Sequence, residues 1–402
     1  GLPNNFKEKL IIAKSRFNGK YPFFISIFTI IFISIGGYIY YTNNILNDRT
    51  SSKEREIETV EWEKKYKKYE DYKQPRIVSV NVDVNIFPST RDVNASGEYV
   101  MINKTKEAID SIFLDHNSLI STFKFDKETD LVSEDTIYNL DIYKLGTPLY
   151  PGDSLKLSFS LKNKPNTVLR NNSQIIYNGT FINSSIFPSL GYSLGELRDD
   201  KTREKYDLPP NKLKPHPSDS TSLGNTYIAK DADWIDFEAT VSTSKDQIAI
   251  APGYLQKEWI EGDRRYFHYK MDSKILNFYA FNSAKYEVLK DKWNDVNLEI
   301  YYHKGHEYNL DRMIKGMKAA LDYCTENFSP YQHKQLRIIE FPKTAGGFAQ
   351  SFPNTIPFSE SIGFIADVDD SEEGGNDYAF FITAHEVAHQ WWAHQVIGAD
   401  VL

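Results

Sequence analysis

From Tyr21 to Tyr41 the chain reads YPFFISIFTIIFISIGGYIYY, twenty-one residues without a charge. No water reaches the middle of a bilayer, so a segment crossing it must close its backbone hydrogen bonds internally, as a helix does. At 1.5 Å per residue this one rises about 30 Å, the depth of the hydrocarbon layer. A buried core helix seldom stays apolar on every face over such a length, and a signal peptide has a shorter apolar stretch and a small-residue cleavage site. The sequence therefore predicts a transmembrane helix at residues 21–41, with tyrosines at both ends in the interfacial aromatic belts. Lys7, Lys9, Lys14, Arg16 and Lys20 precede it, whereas only Arg49, Lys53 and Arg55 follow within fifteen residues. That bias sets residues 1–20 in the cytoplasm as a juxtamembrane segment and the bulk of the chain on the other side of the lipid bilayer.

Beyond the span the pattern changes three times. Residues 42–75 include SSKEREIETVEWEKKYKKYEDYK, which alternates in charge with few apolar positions and no Gly or Pro before Pro75, and reads as a solvated helical stalk. Residues 76–292 hold alternating runs such as IVSVNVDVNIF and SLKLSFSLKN between Gly, Pro, Asn and Asp turns, the pattern of an antiparallel β-rich domain. Within it, Arg198 to Asp219 carries charges and four prolines and is expected to form a long surface loop. Residues 293–402 turn mixed: strand LEIYYH, a helix from Asn309 to Phe328, strand QLRIIEF, an extended stretch through Phe358 to Ile365, and a helix from Asp377. The succession makes an α+β multidomain chain. A net charge of -8 argues against a nucleic-acid partner. Cys324 is the only cysteine, which excludes an intrachain disulfide and favours a bacterial source for an extracytoplasmic protein, hence the bacterial inner membrane.

Close to the last residues stands HEVAHQWWAHQ, His385 to Gln395. On a helix His385 and His389 project one turn apart from the same face, so both imidazoles can bind one zinc ion. Glu386 is turned about 100° from His385, where its carboxylate addresses a water instead of the metal and can act as general base. Apolar Phe380, Phe381, Ile382, Val387 and Ala388 flank the pattern and can bury the site. His394 is rotated away and reads as a surface or supporting histidine. His303 and His306 in YYHKGHEYN have no third ligand at suitable spacing, and read as a solvated helix start. Tyr323, Tyr331 and Tyr378 read as packing residues.

AHEVAHQWW resembles the zinc helix of the aminopeptidase N family of gluzincin metallopeptidases. WIDFEATVSTSKDQIAIAPG resembles the late strands of that family's N-terminal β-domain, and QLRIIEFP with AQSFPNTIPFSESIGFI resembles the strand pair lining its substrate cleft. The likeness covers about Arg76 to Leu402. It implies a saddle-like β-domain at 76–292, the start of a thermolysin-like catalytic domain at 293–402, and one Zn2+ held by His385 and His389. It further implies a third ligand, a Glu near position 408, past the last residue, so that the ligand set is incomplete within this chain. PFSESIG resembles the family's G-x-M-E-N exopeptidase motif, which implies that Glu360 grips a peptide's free amino terminus and that Gly363 is the glycine following it. Pro357, Ser359 and Ser361 depart from that motif. A membrane span directly before the β-domain resembles bacterial members whose peptidase part follows an ABC transporter permease. The expected protein is thus a membrane-anchored zinc aminopeptidase with its catalytic part outside the cytoplasmic membrane. The alternatives are a gluzincin endopeptidase of altered end-specificity and a non-enzymatic peptide-binding module of an ABC transporter.

Overall fold

A computed structural model describes residues 5–46, 51–116, 120–163, 174–192, 197–220, 222–224, 226, 228, 233–368 and 377–401. The chain forms two compact units, residues 1–54 with 166–170, and residues 55–165 with 171–402.

The smaller unit holds the helices Phe6–Arg16 and Tyr21–Tyr41, the second at the expected bounds. Asn5 caps the first by accepting the Glu8 N–H at 2.8 Å. Pro22 sits in the first turn of the second, where a missing N–H costs nothing. None of its side chains is buried, so it is not a core helix of this unit; with its continuation to Ile45 it is long and apolar enough to cross a membrane.

From Arg55 on, in the larger unit, the Ser52–Tyr66 helix departs from the solvated stalk that its charges suggest. Val60, Glu63 and Tyr66 are buried, Trp62 stacks on Tyr192 at 4.4 Å between centroids, and Glu63 makes a two-pronged pair with the wholly buried Arg203 at 2.6 and 2.9 Å. One narrow stripe at three-residue spacing docks the helix, while Lys and Glu cover the rest. The Arg198–Asp219 insert is likewise not all loop: it contains a short helix, Asp200–Lys205, that delivers Arg203 to this pair.

The β-rich region is built on an eight-stranded sheet. Its path runs Tyr254–Glu261, Arg264–Lys270, Trp234–Ser244, Arg76–Phe87, Asp92–Ile102, Ser154–Asn163, Ile120–Phe125, with Ile275–Leu276 pairing off Trp234–Ser244. Pairing is antiparallel except between Arg76–Phe87 and Trp234–Ser244. Val80, Val82, Val84 and Ile86 alternate inward into a core shared with Phe159, Phe237 and Phe281, as period-2 side-chain geometry dictates. Two four-stranded sheets complete this region.

The last sheet positions the site. Tyr286–Trp293 pairs antiparallel with Val296–His303, followed by Gln335–Phe341 and Thr355–Ser359 in parallel. The helix Leu310–Asn327, within its expected bounds, crosses from the second strand to the third. The final helix is Tyr378–Ala388. A Cβ at Gly316 would come within 2.9 Å of the Phe380 carbonyl oxygen and 3.1 Å of Thr383 Cβ, so a glycine lets these two helices approach. Met313, Met317, Leu321 and Cys324 meet Val387 and Trp391 in one core, with the cysteine buried as expected. The extended stretch expected through Ile365 ends at Ser359, and Glu360 to Ile365 form turns.

Candidate metal centre

Asp377 starts the last helix by accepting the Phe380 N–H at 2.9 Å, and Arg312 of the neighbouring helix holds the other carboxylate oxygen at 2.6 Å. From this fixed start the helix carries His385 and His389 onto one side. Their Nε2 atoms lie 3.2 Å apart. His389 Nδ1 is 3.0 Å from the Trp392 carbonyl, which can only accept, so Nδ1 carries a proton and the neutral form of the ring offers its lone pair at Nε2. Two donors bound to one zinc at 2.0 to 2.1 Å in a tetrahedron are about 3.3 Å apart. The pair fits that edge, and a ligating histidine fixed through its second nitrogen is the usual support for such a site.

Glu386 is mostly buried. Burial raises its carboxyl above the ordinary range, against the opposing pull of His389 and of the Ser351 N–H. His385 is pushed below the usual histidine range, first by burial and then by His389. A cavity of about 270 Å³ opens against Glu386 and His389, lined also by Ile228, Phe278, Ala349, Gln350, Ser351 and Ala393.

Gln350 and Gln390 carried no signal in the sequence. Gln390, wholly buried beside His389, donates to Ser351 Oγ at 2.7 Å and to the Phe352 carbonyl at 2.8 Å, and accepts the Asn354 N–H at 2.9 Å. It staples the segment that follows the His385–His389 turn to the segment that forms the cavity wall. His394 is buried, not at the surface, and its Nε2 donates to the Ser351 carbonyl at 3.0 Å. Asp400, an acidic residue after His389, pairs with Lys214 at 2.7 Å.

Glu360 and Gly363 fall elsewhere. The wall segment runs antiparallel to Thr355–Ser359: Gln350 N–H donates to the Pro357 carbonyl and Ser359 N–H to the Phe348 carbonyl, both at 3.0 Å. Ser351, which meets Glu386, is three residues along this edge from Phe348, roughly 10 Å at a rise of about 3.3 Å per residue. Glu360 follows Ser359 at that far end, is absent from the cavity lining, and accepts the Lys343 N–H at 3.0 Å. An amine-gripping role there is not supported by its placement. Gly363 packs under Phe358, whose ring would lie 2.4 Å from an added Cβ, and its carbonyl accepts Asn309 Nδ2 at 2.6 Å. His303 and His306 do find third and fourth partners, Glu340 and Glu360, brought in by two neighbouring strands.

The fold matches solved zinc peptidases. An M1 zinc metallopeptidase from Deinococcus radiodurans superposes with a TM-score of 0.51 at 13% identity, covering 80% of this chain and 65% of its own. A two-domain M1 zinc metallopeptidase variant bound to L-tryptophan gives 0.52 at 12%, covering 81% and 67%, and one bound to L-arginine gives 0.51 at 13% with the same coverage. This chain thus spans about two thirds of the length of these structures. At such identities the likeness speaks for the fold. No family model matches the sequence, and no curated protein is similar to it.

Proposed function

We propose that this chain carries the catalytic helix of a zinc-dependent peptidase that removes N-terminal residues from peptides. The observation that carries the reading is the convergence of His385 Nε2 and His389 Nε2 beside a buried Glu386 at the wall of a cavity. His385 and His389 would hold the ion, and the family resemblance supplies the third ligand near position 408. Zinc, when bound, supplies a Lewis acid that acidifies water and polarises the scissile carbonyl. Glu386, its basicity raised by burial, takes the proton from water and returns it to the leaving amine.

The cavity wall suits an extended peptide. With Gln350 N–H and the Phe348 carbonyl turned to the neighbouring strand, the N–H and C=O of Ala349 face the other way. A peptide adding along this edge would pair with them. Gln350 Oε1 is buried without a hydrogen-bond partner among the described residues and is the acceptor on hand for a terminal ammonium. Single amino acids bound in two of the neighbouring structures belong to the product class of such a reaction.

In this reading the β-rich region is the saddle-like domain, residues 293–402 begin the thermolysin-like domain, and residues 21–41 anchor the protein in a bacterial inner membrane with the catalytic part extracytoplasmic. Association with an ABC transporter permease rests on the resemblance alone. The test compares hydrolysis of free and N-acetylated peptides by the full-length protein. An aminopeptidase cleaves only the free form, and an endopeptidase cleaves both. Stoichiometric zinc without hydrolysis of either marks a peptide-binding module.

A further inference from the structure

We infer that His303, His306, Glu340 and Glu360 form a second divalent-cation site, suited to zinc and separate from His385, Glu386 and His389. Three parallel strands end together here: His303 is the last residue of the second strand of the catalytic sheet, Glu340 is next to last in the third, and Glu360 directly follows the fourth. His306 enters from the turn whose N–H bonds the His303 carbonyl at 3.0 Å. One donor atom from each of the four lies within 4.8 Å of the others.

A hydrogen bond beside the cluster fixes where the His303 lone pair points. His303 Nε2 is 3.1 Å from the Asn178 carbonyl, so that nitrogen carries the proton and a neutral ring turns the lone pair of Nδ1 toward Glu340 Oε1, 3.2 Å away. His306 Nδ1 abuts the same oxygen. A lone pair facing a carboxylate oxygen is unfavourable unless positive charge lies between them, and Glu340 is wholly buried, where an uncompensated carboxylate is costly. The second carboxylate, Glu360, adds to the demand.

Each anchor also matches what ligands need. The other oxygen of Glu340 accepts the His303 N–H at 2.5 Å, one oxygen of Glu360 accepts the Lys343 N–H, and the spare nitrogen of His303 donates to a carbonyl. Such partners orient the side chains that bind a metal. The 3.2 Å separation again matches the edge of a zinc tetrahedron, about 3.3 Å. Two imidazoles disfavour calcium and magnesium, and four protein donors leave no open position, so the ion would be structural. It would tie three strand ends to the β-rich region through Asn178.

Elemental analysis of the dialysed full-length protein tests this independently of any peptidase activity. Two zinc ions per chain are expected, one remaining in H385A/H389A and one lost in His306→Gln. A parent zinc that is wholly lost in H385A/H389A, or a content unchanged in His306→Gln, overturns the inference, whereas a single zinc that survives H385A/H389A counts only against the His385 and His389 site. Because His306→Gln could fail to fold, Co2+ titration of H385A/H389A, altered only outside the cluster, gives a second reading. One saturable visible absorption band supports the site, and a featureless titration leaves a plain imidazolium–carboxylate cluster and overturns it.

Discussion

His394 donates to the carbonyl of Ser351 at 3.0 Å, while the N–H of the same serine bonds the Glu386 carboxylate. A side chain five residues past His389 thus positions both the cavity wall and the proposed base. Substituting His394 with Ala releases the Ser351 carbonyl, and we expect kcat to fall about 10- to 100-fold, the usual cost of losing a supporting partner, with zinc content retained. Steady-state kinetics with metal analysis check this; an unchanged kcat would show that the wall holds itself.

His394 and His333 also make the fold acid-sensitive. Burial holds both near 4, against an ordinary 6.5, and neither Nδ1 has a hydrogen-bond partner among the described residues. Their folded pKa is depressed, so the unfolded chain binds more protons between these values. Stability is full above about pH 6.5 and declines as pH falls toward 4, by up to about 1.4 kcal/mol per unit for each histidine. His333→Phe should flatten the decline measured by urea midpoints at pH 7.5 and 5, and parallel curves for the two proteins would contradict the assignment.

Glu63 and Arg203 are both buried, with the guanidinium also held by the carbonyls of Pro209 and Leu197. Removing one partner strands a buried charge. Glu63→Leu should cost about 3–5 kcal/mol, whereas replacing both partners by apolar residues of similar volume should cost far less. Denaturant unfolding of the single and double variants decides it; equal losses would mean that the pair itself, not the orphaned charge, supplies the stability.

The parts legible in the sequence are those whose determinants are local. The apolar run at 21–41 and the His385, Glu386, His389 spacing each fit within a few helical turns, and both helices occur where they were read. Alternation made the strands visible, as in Arg76–Phe87. The rest depends on pairing between distant segments. Nothing near Glu63 announces Arg203, and charges on most of that helix hid its docked stripe. Glu360 was placed by likeness to a motif, yet the antiparallel return of Ala349 to Ser351 alongside the Thr355–Ser359 strand puts a different segment beside Glu386. His303 and His306 looked solvated because Glu340 and Glu360 reach them only through strand register.

The most direct measurement pairs peptide hydrolysis with zinc content in the full-length protein and in its Glu386→Gln variant. The amide keeps the shape of the side chain but cannot take a proton, so kcat should fall by at least about 100-fold while zinc at His385 and His389 stays stoichiometric. Turnover equal to the parent's, or a parent protein that holds no zinc, would contradict the account.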